Sequence, residues 1–230
     1  MAKKIIKQAG KLQGDTVVEF HTRDCVNLFD GFIPNRQNPN TLTLSVKAFS
    51  ARANMVARNY ALGDPVAQEV LVKTEKGFEE LIEMCREKNE LIDSLIEPFK
   101  SVIKTSSYSA SPIERSCSKF SVYGMYAVRS CMILDSTVKA LMGATHITVM
   151  TKFEAGKHKH ALNKKYRGIL TLAFQYQPKI SRDDFDAGNK EAKEKLKYYR
   201  EKLYIRQDDK REDEELMLHY ANYSEKPNMV

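Results

Sequence analysis

Apolar residues along the chain repeat with two periods, which separate short extended segments from long helices. Thr16-Val-Val-Glu-Phe-His-Thr22 is β-branched and partly alternating, which predicts a strand. Gly31 to Asn40 holds Pro34, Pro39 and four asparagine or glutamine residues and reads as a loop. Lys47 to Leu62 reads as a helix, stopped by Gly63-Asp64-Pro65. That same triplet starts the next helix, with Asp64 as N-cap and Pro65 at the first helical position. From Val66 to Ile96, the residues Phe78, Leu81, Ile82, Cys85, Ile92, Leu95 and Ile96 recur at the spacing of one buried stripe, and Pro98 ends it. The serine-rich stretch Lys104 to Ser118 is expected to be a linker or a long exposed loop.

The second half is patterned differently. Val122 to Leu134 sets aromatic, β-branched and sulfur side chains around one charge, Arg129. A strand is expected there, with helix as the open alternative. Asp135-Ser136 offers an N-cap, after which Val138, Leu141, Met142, Thr145 and Val149 share a helical face. Thr151-Lys-Phe-Glu154 matches a capping box, where hydroxyl and carboxylate satisfy free backbone N–H groups reciprocally. The helix it opens carries Leu162, Tyr166, Ile169, Leu170 and Ala173 on one face. Ser181-Arg-Asp-Asp184 then caps a last helix running to Tyr199 or beyond, before a charged tail. The expected organisation is an N-terminal helical scaffold over 1–104, a loop at 105–118, a compact motif over 119–180 and a C-terminal helix and tail over 181–230.

Charge changes the picture more than composition does. The 230 residues carry 37 Lys+Arg against 30 Asp+Glu, a net +7. Between Met150 and Arg182, eight bases (Lys152, Lys157, Lys159, Lys164, Lys165, Arg167, Lys179 and Arg182) face a single acid, Glu154. That window alone equals the excess of the whole chain. Asp183 to Glu215, by contrast, holds twelve acids and nine bases. A local basic patch points to a polyanion partner, with a solvated helix face as the bland alternative. No apolar run is long enough to cross a bilayer, no secretory leader is evident, and the four cysteines form no CxxC pair. A cytoplasmic protein without membrane attachment is expected.

A strand followed by two helices cannot bury its own apolar faces, whereas two copies with paired antiparallel strands can. The expected fold class is therefore mainly α with a short β element. Its centre is a ribbon-helix-helix homodimer whose intermolecular two-stranded ribbon enters the major groove of double-stranded DNA. In that arrangement Arg129 and Ser130 are the expected base-contacting residues, with Ala127 on the face of Arg129 and Ser130 on the opposite face, so the strand register stays open. Thr151, Lys152, Lys157, Lys159 and Lys164, at and beyond the start of the second helix, face the phosphates. Lys3, Lys4, Lys7 and Lys11 in the N-terminal arm are expected near flanking DNA.

Taken in order, Tyr123-Gly124 through Tyr166-Arg167, the later Ser181-Arg-Asp-Asp184, and the early His21-Thr22-Arg23 and Asp64-Pro65 resemble the AcaB-type family of regulators of integrating conjugative elements and IncC-type plasmids. The resemblance implies a promoter-binding ribbon-helix-helix dimer that activates genes for conjugative transfer, with no catalytic residues. The poorly alternating strand departs from a plain ribbon-helix-helix pattern.

Enzymatic readings find little support. His158-Lys159-His160 places two imidazoles at i and i+2 of an expected helix, where they diverge. Tyr198-Tyr199 reads as packing, Asp183-Asp184 as capping, and no nucleotide-loop, zinc-protease or nucleophile-elbow string occurs. No cofactor and no metal are expected. Two non-enzymatic alternatives stand beside the regulator. One is a structural protein of a transfer apparatus, docking through its long helices. The other is a non-specific nucleic-acid binder in replication or partition.

Overall fold

A computed structural model describes residues 16–31, 44–100, 111–118, 120–176 and 188–202. The N-terminal lysines, the 31–40 loop beyond Gly31, most of the expected linker, Lys179, Arg182, the Ser181–Asp184 cap and the charged tail lie outside the described residues. Strand β1 (Val17–Phe20) leads through Thr22 into helix α1 (Arg23–Asp30). Helices α2 (Val46–Ala61) and α3 (Pro65–Ile96) follow, and a 3-10 turn at Glu97–Phe99 closes α3. Strand β2 (Ile113–Ser116) precedes α4 (Val122–His146), α5 (Lys152–Gln175) and α6 (Lys190–Lys202). The described residues are mainly helical with one small sheet.

Helix starts are set by side chains that take up otherwise unpaired N–H groups. Thr22, Ser45, Asp64, Ser121 and Thr151 cap α1 to α5 in turn. Asp64 does so with Pro65 behind it, and Thr151 with Glu154 in a complete capping box, both as the sequence predicts. Helices α2 to α5 pack on one another around Phe49, Phe78, Leu81, Leu134, Leu162, Tyr166 and Ile169. This core draws residues from both sides of the 105–118 stretch, from Val18 to Ala173. A smaller cluster, with Val56, Val66, Val70, Leu172 and Tyr176, is closed by Ala192 of α6.

Polar contacts fix the relative positions of these helices. Tyr176 Oη donates to Asp64 Oδ2 at 2.5 Å, while Asp64 Oδ1 accepts from the N–H groups of Val66 and Ala67. Arg52 of α2 donates to the carbonyls of Ala173 and Tyr176, taking up oxygens that the end of α5 leaves unpaired. Tyr166 Oη donates to the Ala127 carbonyl inside the core. Helices α2 and α4 meet closely at Gly124, where a β-carbon would lie 2.5 Å from Ser50 Cβ and closer still to Ser50 Oγ.

The strand expected over Val122–Leu134 is instead the first half of α4. Ala127, Cys131, Leu134, Val138 and Leu141 fall at three- and four-residue spacing and are all buried, so one helical stripe runs unbroken through the supposed strand and beyond. Asp135 does not cap a helix start. It lies buried in the middle of α4 and accepts from the backbone of His21 and Thr22 at 2.8 and 2.9 Å. The ribbon-helix-helix arrangement expected over 119–180 therefore lacks its strand. The strand pair among the described residues joins β1 to β2 within one chain, antiparallel, with Val17 opposite Ser116 and Glu19 opposite Glu114. Glu19 and Glu114 share its exposed face, a surface that repels phosphate. The eight-residue α1 is an element that the sequence reading passes over.

Candidate nucleic-acid interface

The residues expected to read bases do not form a surface. Ala127 and Ser130 are both 0% exposed, and the Ser130 hydroxyl donates to the Tyr126 carbonyl one turn earlier in α4. Helical geometry explains the correction: at 100° per residue, Ala127 and Ser130, three apart, fall on one face of α4 and turn into the core together. Arg129 alone of the three is exposed, with Met132 and Ser136 one and two turns further along the same side of α4.

The expected backbone-contacting residues fall on α5 and divide between two faces. Phe153, Lys157, His160, Lys164 and Arg167 recur at spacings of four, three, four and three, so they form one outward stripe about 21 Å long. Lys157 Nζ lies over the Phe153 ring, 5.2 Å from its centroid, which holds the ammonium on that face. Lys152 and Lys159 sit instead on the side turned toward α4 and α1. Both line a cleft of about 520 Å³ whose other walls are Val138, Leu141, Met142, Thr145, His146, Ala155 and Gly156. Lys159 is matched there by Asp24 of α1 at 3.3 Å. Lys165 pairs with Glu80 of α3 at 2.6 Å. His158 also faces α3; burial and then the nearby Lys88 hold its imidazole below the ordinary histidine range.

Thr151 and the start of α5 differ from the expected bare anion site. Glu154 accepts from the Thr151 N–H and hydroxyl, and those bonds hold its carboxyl below the usual range. A negative charge already complements this end of the helix. His160 and Arg167 also belong to the outward stripe; the sequence reading counts Arg167 in the basic window and weighs His160 as a metal ligand but assigns neither to DNA, although the period that places them is legible in the sequence. Among the described residues, no group of three or more His, Cys, Asp or Glu side chains gathers as a metal would require. Nor is any described helix long and apolar enough to cross a membrane.

Comparison with known proteins bears on this arrangement. A family model described as the transcriptional regulator AcaB matches residues 8–204. No curated protein matches the chain. Among solved structures, the selenomethionine-containing AcaB from uropathogenic E. coli is similar in fold, with a TM-score of 0.55 and 12% identity. The match covers 80% of this chain and 86% of that one.

Proposed function

The chain belongs to the AcaB family of transcriptional regulators, and from that premise we propose that it binds duplex DNA through the outward face of α5. The observation that carries the reading is the stripe Lys157, His160, Lys164 and Arg167, three fixed cations and one titratable ring on one side of a 24-residue helix. A helix of that width fits a major groove, and its cations release counterions from phosphate. Lys152 and Lys159, turned toward α4, contribute to the field around the site more than to contact. In its fuller form the reading is of a homodimer that recognises an operator and activates genes of conjugative transfer. The ordered resemblance of Tyr123-Gly124 through Tyr166-Arg167 to AcaB-type regulators supports that part.

The test is fluorescence anisotropy with promoter duplexes from the protein's own element and with unrelated duplexes, across a range of salt. Promoter DNA should be preferred, with affinity falling steeply as salt rises. The double variant Lys157→Ala, Arg167→Ala should lower the slope of log K against log salt by about 2. No binding at low salt, or an unchanged slope in the double variant, would refute the assignment.

A further inference from the structure

We propose that the cleft between α4 and the start of α5 binds a small amphipathic anion, a molecule with an apolar body and one carboxylate head. Its volume of about 520 Å³ lies within the range of small-molecule sites. Val138, Leu141, Met142, Ala155 and Gly156 supply apolar walls, and the polar lining residues are Thr145, His146, Lys152 and Lys159. Along α4 the cleft runs from Val138 to His146, about 12 Å of helix. His146 and Lys152 flank the turn between α4 and α5 at one end, and Lys159, paired with Asp24, lies further along α5. A lined length of about 12 Å is little more than two turns of helix and matches the body of a single small molecule.

The cations give the ligand its orientation. Lys159 already has a carboxylate partner, whereas Lys152 makes no ion pair among the described residues. Lys152 and His146 lie together at the turn end, so the anionic head belongs there and the apolar body lies along Leu141, Met142 and Ala155.

The test is calorimetric titration of the full-length protein, without DNA, using decanoate below its micellar concentration. Decanol and decyltrimethylammonium are the controls. Decanoate should bind saturably at one site per chain, with both controls at least tenfold weaker. Lys152→Met should weaken decanoate about tenfold. Met142→Trp, at a position 58% exposed, should fill the cleft and abolish binding without lowering the melting temperature. Absence of saturable binding would overturn the proposal. So would equal binding of the three probes, or binding that neither variant affects, including binding displaced only by an acidic, apolar peptide. Because no DNA is present, the outcome is independent of the role given to the outward stripe.

Discussion

Thr22 donates its hydroxyl to Asp135 at 2.5 Å across 113 positions of sequence, and the two residues together fasten the β1–α1 corner to the middle of α4. The Thr22 hydroxyl also accepts from the Cys25 N–H, so one side chain caps α1 and engages the carboxylate. Replacing Asp135 with alanine leaves two backbone N–H groups and a hydroxyl unmatched in a site nearly closed to water. The expected loss is about 3 kcal/mol, with Asp135→Asn intermediate. Urea unfolding checks this: the midpoint should fall while the denaturant slope is unchanged.

The contact between α2 and α4 at Gly124 admits no side chain. Gly124→Ala should destabilise by about 1–3 kcal/mol, because the new β-carbon meets Ser50 Cβ at 2.5 Å within two rigid helices. Adding Ser50→Ala to that variant should give partial recovery at most, since it removes the hydroxyl, the nearer contact, but leaves the β-carbon at 2.5 Å. Thermal unfolding of the single and double variants distinguishes this from loss of the Ser50–Ser121 hydrogen bonds alone.

Helix α4 ends in a Schellman turn with an unusual residue at its centre. Thr148 has φ 61°, and the N–H groups of Thr148 and Val149 reach back to Thr145 and Ala144. A β-branched residue is strained in that conformation by about 1–2 kcal/mol, whereas glycine costs less than that in lost chain entropy. Thr148→Gly should therefore stabilise the protein by about 0.5–1 kcal/mol, read as a raised melting temperature.

Asp30, at the end of α1, accepts from Arg115 of β2 in a forked geometry and from Lys47 of α2. The Arg115 hydrogen bonds hold its carboxyl below the ordinary range. A depressed folded-state value means that the contribution is present above the unfolded value, about 3.9. It is lost as pH falls through the folded one. The pair is partly exposed, so the effect is at most about 1 kcal/mol. Wild type should lose more stability than Asp30→Asn as pH falls from about 5 to 2, and the two should run parallel from pH 5 to 7.

Local signals made much of this fold legible in the sequence. Asp64-Pro65 and Thr151-x-x-Glu154 place the starts of α3 and α5 because a cap is satisfied within four residues of itself. Asp135 shows the opposite case. Asp-Ser resembles a cap, but its partners lie more than a hundred residues upstream, where no window can find them. The misreading of Val122–Leu134 has the same root. Short apolar runs fit strand and helix alike, and packing against α2 and α3 decides between them. At the candidate interface, the charge count identified α5 but not its faces. Applying the helical period to Lys152, Lys157, Lys159 and Lys164 divides them as the structure does.

Helix α5 is secured at both termini, by its capping box at Thr151 and by Arg52 and Asp64 around Tyr176. A duplex approaching its outer side meets a finished rod that has no disorder left to surrender. Association through that side should carry only a small heat-capacity change, without the large signature of a segment that folds as it binds.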